Sequence, residues 1–340
     1  MKTEKNKIII AILRVLSNEK KPIGATKISE QIKLYGIDLN QRTVRYYLAA
    51  ADNAGFTKNL GSTRGRMITP AGLKELGDSF VIDKIGLIAS KMDELAYSMD
   101  FSLKNVKGEI ILNISTINSE NLEKIRAPIT RTFEKGLGMG NYIIFGKSNT
   151  HLGNYYIPEG KIGIGTVCSV TVNGIFLNEG IPIFSRFGGL LEIRNGKPAR
   201  FTELINYNGT SLDPLEIFIK GQMTSVAKTA ETGNGIIGAS FREIPAIALP
   251  KAKKIKKRLD TIGLGGILCF GKPGQPLLDI PVLEGRAAMI VIGGLNPLAA
   301  CEENQIETKN VAMGTLFDFR KLVPISANTF KLDDHYFMPR

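Results

Sequence analysis

The amino-acid sequence predicts an α+β chain of two unlike parts, a small helical head closed by a hairpin and a larger mixed domain made of two related halves. Three observations predict it. The first 80 residues hold three stretches of helical apolar period, then two short β-like runs around a Gly/Ser/Thr/Arg turn. Those residues carry 14 Lys and Arg against 7 Asp and Glu, whereas the other 260 carry 30 against 25. Beyond them, short Gly- and Ile-rich motifs recur in the same order twice, the mark of a duplication.

In the head, "NKIIIAILRVLSNEKKP" sets Ile8, Ile9, Ile12, Leu13 and Leu16 on one stripe, with Pro22 after its end. "GATKISEQIKLYG" is a short second helix with Ile28, Ile32 and Leu34 inward, closed by Gly36. The third helix starts after Asn40, whose side chain can accept from the free N–H groups of the first turn. Val44, Leu48 and Ala51 form its inner stripe, so Gln41, Arg42, Thr43 and Arg45 project from the leading end. "GFTKNLGSTRGRMITPAGL" then reads as a hairpin with Arg64 and Arg66 at a basic tip. Helix, helix, helix, basic hairpin is the winged helix-turn-helix order. Its third helix is expected to read a DNA major groove and its wing to reach phosphates or the minor groove. The local positive balance favours a polyanionic partner for this segment.

Composition excludes other classes. Cys168, Cys269 and Cys301 are scattered and odd in number, which suits a reducing cytoplasm, and no C-x-x-C or H-x-x-x-H spacing supports a structural metal site. "KIIIAILRVL" is too short to span a bilayer and is broken by Arg14. "GLGMGN" (136–141) follows a predicted helix and lacks a closing Gly-Lys-Ser/Thr, so it reads as a helix C-cap and turn. Cys168 is expected in an apolar strand, His151 in a polar loop, and "KAKKIKKRLD" (251–260) as a solvated helix face.

The domain reading is a head over residues 1–80, a helical connector over 81–105, a first repeat over 106–199 and a second with the C-terminal segment over 200–325. In the connector, Ile82, Ile85, Ile88 or Ala89, Met92 and Leu95 keep helical period. The repeats are aligned on "GNYII" with "GNGII" at an offset of 93, and on "IGIGTVCS" with "IGLGGILC" at an offset of 100. "IPIFSR" then matches "IPVLEGR", which makes Arg186 and Arg286 equivalent. A crevice between halves suits a small ligand, and two guanidiniums flanking it suit a dianionic one, with the hydroxyls of Thr166 and Ser169 nearby. Alternatively each arginine pairs with an acid of its own repeat, Glu179 or Glu192 for the first and Asp279 or Glu284 for the second.

"NQRTVRYYL", "GKIGIGTVCSVTVNGIFLNEGIPIFSRFGGLLEI" and "GNGIIGASFREIPAIA" resemble the archaeal nitrogen regulatory repressor family, NrpR. The resemblance spans nearly the whole chain and implies a winged helix followed by one regulatory domain. It implies a repressor, not an enzyme, of nitrogen-assimilation or nitrogen-fixation genes. It further implies a palindromic double-stranded operator and release by 2-oxoglutarate, with no cofactor. A homodimer fits a palindrome, and a second subunit with another regulatory domain is an open alternative. Two rival readings stand beside it, an enzyme converting a small acid under a regulatory winged helix, and a co-regulator that recruits proteins through residues 81–100.

Overall fold

The computed structural model describes residues 2–19, 21–61, 64–78, 86–326 and 330. It divides into two compact units, Met1–Ile85 and Gly86–Arg340.

The head is built from α1 (Lys2–Asn18), α2 (Ala25–Gln31) with a 3-10 turn at Ile32–Tyr35, α3 (Gln41–Asn53), β1 (Thr57–Asn59), β2 (Arg66–Ile68) and α4 (Pro70–Asp78). Gly36 ends the second segment with φ 72°, as its place after the apolar run requires. The Asn40 side chain accepts from Thr43 N–H at 2.9 Å and fixes the start of α3. Val44, Leu48 and Ala51 are wholly buried. Val44 and Leu48 join Ile8, Ile12, Leu16, Ile28 and Ile32 in one small core. Leu34's side chain, and residues 81–85 with Ile82 and Ile85, lie outside the described residues.

The connector's helix is α5 (Leu87–Ser98), which buries Ile88, Met92 and Ala96 against its own unit. The rest comprises β3 (Glu109–Asn118), α6 (Leu122–Glu134), β4 (Tyr142–Gly146), the hairpin β5 (His151–Leu152) and β6 (Tyr155–Tyr156), β7 (Lys161–Val167), α7 (Thr171–Asn178), β8 (Phe184–Arg194) and β9 (Lys197–Asn206). These are followed by α8 (Pro214–Lys220), α9 (Val226–Thr232), β10 (Gly235–Pro245), α10 (Leu249–Thr261), β11 (Ile267–Phe270), β12 (Arg286–Ile292), α11 (Asn296–Glu303), β13 (Lys309–Asp318) and β14 (Val323–Pro324).

Two antiparallel sheets run β13-β3-β7-β4-β14 and β11-β12-β10-β8-β9. The order β13-β3-β7-β4 in one corresponds to β8-β10-β12-β11 in the other. The duplication is therefore real, but its register differs from the alignment above. β3 answers to β10, α6 to α10, β7 to β12, α7 to α11 and β8 to β13. The second half begins at Gly235, because residues 197–232 are the segment joining the halves. Each half sends its last long strand into the other half's sheet.

One pair of side chains shows the true register. Thr171 Oγ1 accepts from the Ile111 N–H at 3.2 Å and donates to the Ile111 carbonyl at 3.0 Å. In the other half Asn296 Oδ1 accepts from the Gly238 N–H at 2.9 Å, and Nδ2 donates to the Gly238 carbonyl at 3.0 Å. In each half the first residue of a buried helix thus completes a backbone pairing on an inner strand of its sheet, β3 or β10. The sequence pattern does not announce α7, and by period alone this stretch reads as strands. Residues Thr171–Phe176 are all buried, so the helix has no polar face to mark its turns. Gly174 inside it allows a close approach, since a Cβ there would lie 2.5 Å from the Met99 methyl carbon.

Asn296→Ala would strand the Gly238 N–H in the interior and strip the Leu137 carbonyl of its Asn296 Nδ2 donor at 2.9 Å, while the Gly238 carbonyl keeps the Gly293 N–H. We expect a loss of roughly 2–4 kcal/mol from these two unmet groups, read from urea unfolding of the full chain; a change below half of that would show that the pairing is not a main tie.

Candidate nucleic-acid interface and effector region

The leading end of α3 is held from three sides. Asn40 caps it, and Thr43 Oγ1 also donates to Asn40 Oδ1 at 3.0 Å. Gln41 is turned back, its Nε2 donating to Thr26 Oγ1 of α2 at 2.6 Å. Arg42 and Arg45 are exposed, and among the described residues neither guanidinium is in an ion pair. Tyr46, 63% exposed, stands one turn beyond Arg42 and completes the stripe. Its spacing from Arg42 is the signal by which sequence alone could have found it.

The wing divides its two arginines. Arg64 is exposed at the tip. Arg66 is not free at the tip, a correction: its Nε donates to Asp52 Oδ2 at 2.8 Å, both side chains mostly covered. Asp52 also accepts from Thr57 Oγ1 at 2.5 Å. Arg66 exchanges backbone bonds with Ile23 as well, which adds a bridge to the hairpin. It thus latches the wing to the end of α3.

The four expected ligand residues do not converge. Arg186 on β8 and Arg286 on β12 flank the central strand β10 and meet over one acid, Glu243, which is 1% exposed. Arg186 Nη1 donates to Glu243 Oε1 at 2.8 Å and to the Pro281 carbonyl at 2.6 Å. Arg286 Nε lies 3.9 Å from Glu243 Oε2. Neither arginine uses the acids proposed within its own repeat. In the true register they are not equivalents, since β8 answers to β13 and β12 to β7. Aromatic faces support both: Arg186 stands 5.4 Å from the Phe241 centroid and Arg286 5.7 Å from that of Phe184.

Thr166 and Ser169 are interior. Thr166 Oγ1 donates to the Gly294 carbonyl at 2.9 Å. Ser169 Oγ accepts from Arg242 Nη2 at 2.8 Å. Arg242 is wholly buried on the face of β10 opposite Glu243, because side chains alternate along a strand. Its other bonds go to the Ser169 carbonyl, Asn173 Oδ1 and Ser240 Oγ, all neutral. Beside this cluster, Asn113, Cys168, Ser169, Tyr207 and Asp213 enclose a cavity of about 10 Å³, room for roughly one water. A dicarboxylate does not fit there.

Asp213 caps α8, accepting from the Leu215 N–H at 2.9 Å. Burial pushes its carboxyl up to about 6, and the neighbouring Glu216 adds to the rise, while backbone N–H groups and Lys91 oppose it. Lys91 of α5 donates to the Ala312 carbonyl at 3.2 Å, and the Ala312 N–H donates to Glu216. The connector helix is thus seated on this acidic corner.

His151, expected in a polar loop, lies in the two-residue strand β5, and Cys168, expected in a strand, follows one. Cys168 sits just past β7, and burial pushes its thiol up to about 11, which removes it as a nucleophile at neutral pH. His151 lies at an exposed strand position, 5.4 Å from the Tyr156 ring. Residues 251–260 lie in α10, with Leu249, Ala252, Ile255 and Leu259 inward and lysines outward. Among the described residues no group of three or more His, Cys, Asp or Glu could hold a metal, and no helix is long and apolar enough to cross a membrane.

A winged-helix head on a duplicated, strand-exchanged α+β domain defines a transcription regulator of two functional parts. The family model for NrpR regulatory domains NRD1 and 2 matches residues 85–324, and that for the Ribonuclease R winged-helix domain matches residues 10–76. The global nitrogen regulator NrpRI of Methanosarcina mazei is 36% identical over 318 residues, 93% of this chain and 97% of that protein. The global nitrogen regulator NrpR of Methanococcus maripaludis is 30% identical over 87% of this chain and 51% of its own length. That of Methanocaldococcus jannaschii is 28% identical over 94% and 55%, so this chain spans about half the length of either. A solved nitrogen repressor-like protein from Methanococcus jannaschii superposes with a TM-score of 0.58 at 28% identity, over 69% of this chain and 96% of that one. The chain belongs to the NrpR family of nitrogen regulators, and is a regulator and not an enzyme.

Asp213 yields a prediction with a definite sign. A carboxyl whose folded pKa lies above its ordinary 3.8 costs stability when ionised, so its contribution is most favourable below about pH 4 and is lost as pH rises through about 6. An asparagine at this position could still accept at the cap. Asp213→Asn should therefore melt above the wild type at pH 7.5, with the two converging towards pH 4; a variant less stable at pH 7.5 would reverse the assignment.

Proposed function

We propose that the chain represses nitrogen-assimilation or nitrogen-fixation genes by occupying palindromic double-stranded operators as a homodimer, and that 2-oxoglutarate releases it. The exposed stripe of Arg42, Arg45 and Tyr46, on a helix whose leading end is fixed by Asn40, is the observation that carries the DNA-binding part. Arg42 and Arg45 suit base edges or the phosphates beside them, and Tyr46 adds a hydroxyl and a flat apolar face. Thr43 and Asn40 hold the turn from which they project. Gln41 reaches a base only by giving up Thr26. Arg64 suits a phosphate, and Arg66 keeps the wing in place behind it.

For the effector, Arg186 and Arg286 remain the proposed anion contacts. Two guanidiniums over a single buried carboxylate leave one net positive charge at a partly exposed position, which favours a carboxylate from outside. Thr166 and Ser169 leave this proposal because they are sealed in the core. An inducer must bind the DNA-incompetent arrangement more tightly than the competent one. Relatives named as global nitrogen regulators support the nitrogen-linked part of the reading.

Arg42→Ala should weaken operator binding by about 1–3 kcal/mol and relax discrimination against random duplex, whereas Arg64→Ala should lower affinity on all duplexes alike and reduce the salt slope by about 1. Full discrimination by the Arg42 variant would refute the recognition-helix assignment. Saturating 2-oxoglutarate should lower operator affinity of the wild type, and Arg286→Ala should blunt that response. An affinity indifferent to 2-oxoglutarate would remove the inducer claim and leave DNA binding standing. Sedimentation of the same samples, alone and with any second regulatory subunit, reads whether one chain type suffices.

A further inference from the structure

The two halves treat one equivalent corner differently. After α6 and after α10 the chain runs through the same three residues, Gly136-Leu137-Gly138 and Gly263-Leu264-Gly265. In the second half this corner is filled. The Tyr142 ring lies over Gly263, where a Cβ would come 3.1 Å from Tyr142 Cε2. Its hydroxyl donates to the Ile262 carbonyl at 2.9 Å, and Phe319 meets the ring edge-on at 4.9 Å. A phenol ring packed against Gly263, with its hydroxyl donating to the preceding carbonyl, is therefore what this corner accepts.

In the first half the corner is open. Nothing lies within 4 Å of where a Gly136 Cβ would stand. The residue that answers to Tyr142 carries no side chain, and Met139 fills the place beside it without reaching Gly136. Ile143 pairs with Thr166 and Ile267 with Val291, and those partners are equivalent, so Tyr142 corresponds to Gly266. Beside Gly136 there is instead a cleft of about 370 Å³, within the range of small-molecule sites. Leu137, Ile193, Ala230, Ile237 and Leu268 give it an apolar wall. Gly196 leaves its flank clear, with nothing within 4 Å of a Cβ there. At the rim Glu231 is committed to Arg131. No arginine lines the cleft, whose one lining cation is Lys135, and it is distinct from the Arg186–Arg286 corner.

We propose that this cleft is a second ligand site, for a small planar aromatic molecule carrying an O–H or N–H donor, which stacks on the Gly136 peptide and donates to the Lys135 carbonyl as Tyr142 does to that of Ile262. The carbonyl end of α6 favours a donor there, because helix C-termini carry partial negative charge. The flat faces of Gly136 and Gly196 admit a ring that any side chain would block.

The test is a ligand-observed NMR titration of the full chain with 4-ethylphenol. Saturable binding is expected at one site per chain, and cyclohexanol should bind at least ten times more weakly. Leu268→Tyr should fill the cleft from within, keep or raise the melting temperature, and lower the affinity for 4-ethylphenol at least tenfold. Ala230→Leu fills the same wall from α9 and serves if the first variant does not fold. Tyr142→Ala should open the matching corner and raise the stoichiometry from one to two. No saturable binding to the wild type, undiminished binding to a folded Leu268→Tyr or Ala230→Leu variant, or equal binding of cyclohexanol would overturn the proposal.

Discussion

The exchange of strands between the two halves is the constraint from which the regulatory unit takes its form. β8 belongs by chain order to the first half and by hydrogen bonding to the second sheet, and β13 does the reverse. Pulling the two chain halves apart would break two long antiparallel ladders at once, β8 on β10 and β13 on β3, while the Thr171 and Asn296 ties hold each half together within itself. Packed interiors switch between discrete arrangements more readily than they stretch. A signal within this unit therefore has to travel by elements laid on the sheets. The connector helix α5 is one such element, placed next to the head in sequence and seated through Lys91 and Met92 on the corner of Asp213, Glu216 and Ala312.

The central strand β10 shows how one strand serves two chemistries. Arg242 and its neighbour Glu243 face opposite ways. Glu243 is buried yet shared by Arg186 and Arg286, which keep part of their surface in solvent. Arg242 has no acid among its bonded partners, and is met instead by two serines, an asparagine and a backbone carbonyl. Burying a cation among neutral acceptors costs free energy, and burial does lower its pKa. The arrangement is nonetheless specific, because only a correctly seated α7 can present Ser169 and Asn173 together.

The head was legible because its signals are local. A cap, a helical period and a turn each occupy a few neighbouring residues, so Asn40, Gly36 and the buried stripe of α3 could be read directly. What failed there was long range: Asp52, fourteen positions away, takes Arg66 from the wing tip. In the regulatory unit the fact of duplication was legible and its register was not. Short matches such as "IGxG" recur by composition in any Gly- and Ile-rich chain. The better signal was "GLG" at 136 and 263, which marks the same corner after equivalent helices. The exchanged strands could not be inferred from pattern, since β8 and β13 carry no residue that names their sheet. The ligand set suffered in turn, for a wrong register made Arg186 and Arg286 equivalent and placed Thr166 and Ser169 near them.

Where a duplicated domain keeps a feature in both halves, folding is a sufficient reason for it; where one half departs, another reason is needed. Thr171 and Asn296 differ in identity but perform the same backbone tie. Arg242 answers to Ser115, which needs only Asn310 for a partner, so the buried cation is not demanded by the sheet. Tyr142 answers to Gly266, whose flank is filled by Met139, and no ring covers Gly136 as Tyr142 covers Gly263, which leaves the cleft there open. A chain under selection for packing alone would close such a space, since each buried methylene is worth about 0.8 kcal/mol. Leu268 stands at its edge and a single larger side chain would fill it. Its persistence as a lined, partly apolar hollow is the argument for an occupant, and it is why filling the hollow should stabilise the fold while removing the site.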